Sequence, residues 1–391
     1  MIKPCKAAVL TTGRQDYGIL RSTLLLLAND PQFDLQLLVG GMHFPARYGR
    51  TIEQIQKDGF YSAAQLDWLG EVLPEPNAYI QIGTVARLVG DTLGRLKPDF
   101  LMVVGDRYET AAAALAAVIA RVPIVHLHGG EETEGAIDNQ FRHAITKMSH
   151  LHLVSHPLHA SRVIQMGEAP ETVHVVGAPG LDNLFRSDLP DKATLEKTVG
   201  INLSPPVVIV TLHPVTINPI ETNRALSALV AAMSTIEATY IITLPNADPG
   251  NEEIRSTFRS WGINHKRVCI LESLGEQSYF GLMRLADTMI GNSSSGLIEA
   301  GSYQLPVVNI GCRQNGRLSG TNVIHAAPEK VSVQAALTRA LSKEFRNSLI
   351  GTNSPYGDGK SGGRIINLLK TWQLPASTGK VFHTIQPLDN R

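Results

Sequence analysis

A chain of 391 residues is longer than one ordinary hydrophobic core organises, so two domains are expected. Its 35 basic and 35 acidic side chains cancel, and no block of like charge occurs, which argues against nucleic acid or a membrane surface as a partner. Cys5, Cys269 and Cys312, odd in number and far apart, argue against a disulfide framework. With no stretch near the ~20 apolar residues of a membrane span and no apolar export signal behind Met1, a cytoplasmic protein is expected.

In chain order, Ala7 to Thr11 reads as a short strand, followed by Thr12-Gly13-Arg14-Gln15-Asp16-Tyr17-Gly18 and a helix from Ile19 to Ala28. Unpaired N–H groups and a positive dipole at such a helix start suit an anion, and Arg14 would add a fixed charge. Phe33 to Val39 reads as a second strand ending in Gly40-Gly41-Met42-His43, and Tyr48 to Gly59 as a helix. A strand from Pro98 to Val104 closes on Gly105-Asp106-Arg107, before an alanine-rich helix from Tyr108 to Ala120. Asp106 is either the cap of that helix or part of a site at the strand end.

The apolar run Val122 to Val125 reads as a buried parallel strand. It opens into His126-Leu127-His128-Gly129-Gly130-Glu131-Glu132-Thr133-Glu134-Gly135-Ala136-Ile137-Asp138-Asn139-Gln140-Phe141-Arg142-His143, which leads into an amphipathic segment ending near Ser149. Three histidines, four carboxylates and an arginine exceed what a connecting loop needs, and at a strand end they make an acid/base site. Strands at Leu151 to Val154 and Val173 to Val176 complete a first domain, residues 1–186.

Past a polar linker and helix, Ser187 to Thr198, the alternation repeats as a second domain, residues 187–375, with 376–391 as a tail. Val207 to Leu212 is a strand ending in His213-Pro214-Val215-Thr216; a helix Asn223 to Thr235, a strand Tyr240 to Leu244 and the loop Pro245-Asn246-Ala247-Asp248 follow. Then come Val268 to Ile270, a helix Gly275 to Ala286 and a strand Thr288 to Ile290. Two sets of βα units predict two Rossmann-like, doubly wound α/β domains facing across a cleft. The run Gly291-Asn292-Ser293-Ser294-Ser295-Gly296-Leu297-Ile298-Glu299 offers hydroxyls and N–H groups at a helix start, suited to a diphosphate, with Glu299 one turn inside to take a ribose diol. After the strand Val307 to Ile310, Arg313 or Arg317 would balance the diphosphate charge. Gly359-Lys360-Ser361 lacks the preceding strand and glycine spacing of a P-loop, and is read as the loop before a helix from Ile365 to Trp372.

With these motifs in view, the chain resembles the hydrolysing UDP-N-acetylglucosamine 2-epimerases of sialic-acid- and legionaminic-acid-type sugar biosynthesis along nearly its whole length. The resemblance implies a glycosyltransferase-B-like fold, a UDP-sugar substrate, no cofactor and no metal, and a homodimer or homotetramer. It implies anti elimination of UDP to a 2-acetamidoglucal, then addition of water with inversion at carbon 2. By the same resemblance Asp106, Glu131 and Asp138 handle protons and the developing cation, with Arg142 and His143 orienting them. Arg14, His213, Ser294, Ser295, Glu299 and Arg313 hold UDP, and Gly13, His43, Asn246, Asn292, Ser293 and Gly296 complete the substrate set. His128 stands where many family members have glutamate, and its ordinary pKa near neutrality makes it a candidate base.

Three other readings use the same residues. His126 and His128, two apart on a strand, would with Glu131 bind zinc in a hydrolase. A glycosyltransferase of the same fold would keep the UDP loops and need fewer carboxylates. A UDP-sugar sensor would bind without cleaving.

Overall fold

The computed structural model describes residues 3–71, 77–132, 137–215, 218–245 and 250–385. They form two compact units. The first runs to Glu132, resumes through Asn183 and takes back the chain from Gly359 onward; the second runs from Leu184 to Asp358.

The first unit alternates strand and helix: β1 (Cys5–Thr11), α1 (Arg14–Asn29), β2 (Phe33–Gly40), α2 (Ile52–Lys57), β3 (Ser62–Leu66), α3 (Ala78–Leu96), β4 (Phe100–Val104) and α4 (Tyr108–Ile119). It continues with β5 (Ile124–Leu127), α5 (Asp138–Met148), β6 (Leu151–Val154), α6 (Pro157–Gln165) and β7 (Val173–Val175). The described strands make one parallel sheet in the order β3-β2-β1-β4-β5-β6-β7. Strands β1, β4 and β5 are almost wholly apolar and buried, as a sheet covered on both faces requires. The order reverses between β1 and β4. In such sheets the crevice beyond the carboxyl ends at the reversal receives ligands, and here it is flanked by Gly13 and by Gly105-Asp106.

The second unit repeats the plan with α7 (Lys192–Val199), β8 (Val207–Thr211), α8 (Pro219–Met233), β9 (Thr239–Thr243), α9 (Asn251–Gly262), β10 (Val268–Leu271) and α10 (Glu276–Leu285). Then follow β11 (Thr288–Gly291), α11 (Ser295–Ile298), β12 (Val307–Ile310), β13 (Val323–Ala326), α12 (Lys330–Leu341) and α13 (Lys343–Ser348). Its parallel sheet has the order β10-β9-β8-β11-β12-β13. The reversal between β8 and β11 sets the His213 turn beside Asn292. The two doubly wound α/β domains expected from the sequence are therefore present.

Several details differ from the sequence reading. Helix α1 starts at Arg14, not Ile19, which shortens the first turn. The pair β3 and α3 had no sequence signal strong enough to name. Gly83, Gly90 and Gly94 weaken the helical pattern of α3, although Val85, Val89 and Leu93 are fully buried at helical spacing. The last helix, α14 (Ser361–Thr371), joins the first unit rather than closing the second. Its apolar face, Ile365, Ile366 and Leu369, completes the core formed by Leu20, Leu24 and Leu27 of α1. Asp182 accepts from the Ser361 and Gly362 amides at 2.9 and 2.7 Å. A protein carboxylate thus fills the place a phosphate would take in a P-loop. Among the described residues, no helix is long and apolar enough to cross a membrane.

Candidate active site

The carboxyl ends of β4 and β5 and the start of α5 bring the acid/base residues together. Gly105, at φ +75°, makes the turn that ends β4 and leaves Asp106 at its tip. Arg142, one turn into α5 and 3% exposed, donates from Nη2 to Asp106 Oδ2, and from Nη1 to Glu131 O at 2.7 Å and Asn139 Oδ1 at 2.9 Å. One guanidinium therefore ties together the Asp106 turn, the Glu131 loop and α5. Asp138, at the first position of α5, is half-buried; burial and then the charge of Asp106 push its carboxyl above the ordinary value, opposed by Arg107 and Arg142.

Glu131 and His128 form the second cluster. His128 has φ +64°, a left-handed conformation that a residue with a Cβ takes only when its surroundings impose it. Its Nδ1 donates to Glu131 Oε1 at 2.7 Å, and Ser155 Oγ donates to the same oxygen at 3.0 Å. Burial opposes ionisation of Glu131, but His128, His159 and Arg142 outweigh it and hold the carboxyl far below its ordinary range. The other ring nitrogen, Nε2, is buried and has no partner among the described residues. Glu132 takes His143 Nε2 at 3.2 Å and Asn139 Nδ2 at 2.7 Å. Thr133, Glu134, Gly135 and Ala136 lie outside the described residues.

The structure corrects two readings on this side. His126 is the third residue of β5, not the first of a loop, because the pairing of β4 with β5 extends through Leu127. It is fully buried, donates from Nε2 to Gly105 O at 2.8 Å, and has Nδ1 3.4 Å from Thr146 Oγ1. Burial lowers its pKa to about 3. With both ring nitrogens engaged it is no zinc ligand, and the zinc-hydrolase arrangement with His128 fails. No group of three ligating side chains suited to a metal occurs among the described residues. His43 is likewise in the core, 2.9 Å from Thr11 Oγ1 and 2.7 Å from Thr51 Oγ1, and burial lowers its pKa to about 4. It braces β1 against the start of α2 instead of facing a ligand.

At the reversal of the same sheet, Gly13 is buried and Arg14 exposed at the start of α1. Asp16 lies in the first turn of α1 and accepts from Thr12 N at 3.0 Å and Thr12 Oγ1 at 2.5 Å. Burial raises its carboxyl, opposed by Thr12 and Arg107. Arg107 pairs with the buried Glu109 at 2.6 Å. None of Asp16, Glu109, Ser155 or His159 stood out in the sequence. Buried polar residues inside apolar helical runs were the available signal.

In the second unit, Asn292 links the two turns at the reversal. Its Oδ1 accepts from His213 N at 2.7 Å and its Nδ2 donates to His213 O at 2.9 Å. Arg313 Nη1 and Gln314 Nε2 donate to Asn292 O at 3.1 and 2.8 Å. The Asn292 amide is thus a latch, while its neighbours stand around it. Burial and then Arg313 lower His213 to about 4, so its imidazole is neutral, and its buried Nδ1 has no partner among the described residues. Gly296 permits close packing, since a Cβ there would lie 2.8 Å from Val307 Cγ1.

The serine run starts a helix of only four residues, α11, which passes directly into a 3-10 turn. Its dipole is correspondingly small, and Glu299 closes the helix instead of lying one turn inside. The Ser294 side chain makes no cap bond, and Ser295 N donates weakly to Ser293 Oγ at 3.4 Å. Burial raises the Glu299 carboxyl against a Ser295 hydrogen bond, and Glu299 Oε2 is buried without a partner among the described residues. Tyr279 of α10 stands beside this run; burial raises its phenol to about 12, opposed by the hydroxyls of Thr211, Ser295 and Ser293. Asn246 lies outside the described residues.

Each unit thus gathers polar side chains at its sheet reversal. Residues 26–370 match the model of the UDP-N-acetylglucosamine 2-epimerase family, and the chain belongs to that family. It is 35% identical to the hydrolysing UDP-N,N'-diacetylbacillosamine 2-epimerase of Legionella pneumophila, over 94% of this chain and 96% of that one. It is 34% identical to polysialic acid biosynthesis protein P7 of Escherichia coli, over 90% of each. Among solved structures, the UDP-N-acetylglucosamine 2-epimerase of Neisseria meningitidis bound to UDP-GlcNAc matches in fold with a TM-score of 0.76 at 17% identity, over 94% of this chain and all of that one.

Proposed function

We propose that the chain hydrolyses a UDP-linked 2-acetamido sugar with inversion at carbon 2, acting on UDP-N-acetylglucosamine or its 2,4-diacetamido-2,4,6-trideoxy analogue. The products are UDP and the free manno-configured sugar. The observation that carries this reading is the gathering at the carboxyl ends of β4 and β5, where Arg142 ties Asp106 to the Glu131 loop and to α5, and His128, hydrogen-bonded to Glu131, keeps a buried Nε2 without a partner among the described residues. Histidine and carboxylates so placed are the groups that proton transfer at carbon 2 requires.

Carbon 2 has no neighbouring carbonyl to acidify its hydrogen, so removal of that proton accompanies departure of UDP. The C2–H electron pair forms a C1–C2 double bond while the bond from C1 to the phosphate oxygen breaks and UDP leaves with its electrons. His128 takes the proton, and Glu131, held ionised, orients the ring and stabilises the imidazolium. Water then adds at C1 of the glycal and a proton returns to C2 on the other face, with Asp138 and Asp106 as the acid/base pair. Arg142 holds Asp106 in place through its Nη2. In the second unit Arg313 and the Ser294 and Ser295 groups take the diphosphate, and Glu299 the ribose. The diacetylbacillosamine and polysialic acid names of the relatives support a place in the making of nine-carbon acidic sugars; the working form we propose is a cytoplasmic homodimer or homotetramer.

Assaying UDP release with both UDP-sugars, side by side, tests the reading and names the substrate. Turnover of one at least about tenfold faster in kcat/KM assigns it; saturable binding of both without UDP release would sink the enzymatic reading.

A further inference from the structure

Far from the proposed acid/base residues, a buried cluster joins the C-terminal tail to the other end of α5. Glu168, 3% exposed, accepts from Lys147 Nζ of α5 at 2.5 Å, from His152 Nε2 of β6 at 2.9 Å and from Lys380 Nζ of the tail at 2.6 Å. Lys380 Nζ also donates to Lys147 O at 3.0 Å and Thr146 O at 3.4 Å. These are last-turn carbonyls of α5, at the negative end of the helix, where Thr146 O also accepts from Ser149 N at 3.1 Å. The tail that delivers Lys380 is itself fastened. His383 N donates to Gly167 O at 2.9 Å, His150 Nε2 donates to Thr378 O at 3.2 Å, and Lys147 Nζ lies 4.9 Å from the Phe382 ring centre. The Phe382 ring covers Gly167, at φ +89°, so closely that a Cβ there would come within 2.3 Å.

The cluster reaches the site by two rigid routes. Helix α5 itself runs from Lys147 to Asp138 and carries Arg142 and His143 on the way. In the sheet, His152 is the register partner of His126, whose ring holds the Gly105 carbonyl next to Asp106. We infer that Lys380 and Glu168 are positioning residues for proton transfer, the tail acting as a strap that fixes the axial placement of α5. The inference rests on the epimerase reading above. A shift of about 1 Å at a reacting group costs up to about 100-fold in rate, so a clamp at the far end of a stiff helix bears on kcat more than on KM.

The test compares Lys380→Ala, Lys380→Arg and Lys370→Ala in the full chain. Lys370 pairs with Asp30 at 2.5 Å elsewhere in the same unit and controls for a lost ion pair as such. Steady-state kinetics on the UDP-sugar are read beside amide hydrogen exchange across α5. Lys380→Ala should lower kcat about tenfold with KM within about twofold, and should speed exchange in the last turns of α5. Lys380→Arg should recover most of both, and Lys370→Ala should change neither. A Lys380→Ala kcat within about twofold of the unaltered chain, or an equal loss in Lys370→Ala, would overturn the inference. Were the unaltered chain to turn over no UDP-sugar, the epimerase reading alone would fall; unchanged α5 exchange in Lys380→Ala would then remove the strap separately.

Discussion

The loops at the two sheet reversals are built on opposite plans. In the first unit the ionisable side chains are paired with one another: Arg142 with Asp106, His128 with Glu131, His143 with Glu132. In the second, the link is made by one neutral amide, Asn292, and the groups around it keep open capacity, notably His213 Nδ1 and Glu299 Oε2. A loop that moves protons needs its groups fixed and their pKa values set by neighbours. A loop that holds a diphosphate needs donors and acceptors left for the ligand. Loss of a paired group should therefore strike turnover, and loss of an open one, affinity.

The largest effect expected is at Asp106. Asp106→Asn removes the proposed proton-transfer carboxylate and the ion-pair partner of Arg142, and should lower kcat about 1,000-fold with KM within a few-fold. Rate loss confined to KM would break the division of labour. Next, His128→Gly removes the proposed base and relieves a left-handed backbone that costs a residue with a Cβ about 1–2 kcal/mol. It should drop kcat about 100-fold or more while the melting temperature holds or rises. A destabilised but active variant would mean the strain serves folding.

In the second unit, Arg313→Ala should raise KM about tenfold with little change in kcat, and added salt should narrow the gap from the unaltered chain. Asn292→Ala sharpens the contrast between latch and ligand contact, since it leaves His213 N and O without their partner. A stability loss of about 1–3 kcal/mol in urea unfolding is expected, whereas a pure KM effect at full stability would make Asn292 a ligand contact. The smallest effect is in the pH dependence of stability. Burial opposes the Glu168 charge, but His152, Lys147 and Lys380 hold its folded pKa at about 2 against an ordinary 4.5. Its stabilisation is present above about pH 4.5 and lost as pH falls toward about 2, so Glu168→Gln should flatten that acid limb.

Much of this was legible in the chain itself. Strands such as Phe100–Val104 are continuous apolar runs closed by glycine, and the residues just past them line the candidate site. Histidines misled the reading for a physical reason: His43 and His126 follow the same strand-end pattern as His128, but hydrogen bonds to Thr51 and Gly105 draw them into the core. Spacing does not reveal which way a ring turns. The latch made by Asn292 gave no sequence signal for a different reason, since its two bonds go to the backbone of a residue 79 positions away. The return of α14 to the first unit likewise depends on which of two apolar cores its Ile365 face meets.

The most direct test is proton NMR in heavy water, comparing the unaltered chain with Asp106→Asn and Arg313→Ala on the faster UDP-sugar. The account predicts UDP and a free manno-configured sugar with deuterium at carbon 2 from the unaltered chain. Arg313→Ala should give the same products at higher substrate concentration, and Asp106→Asn neither product. A gluco-configured sugar that keeps its carbon-2 proton would contradict it, because plain hydrolysis at carbon 1 needs none of the paired acid/base loop.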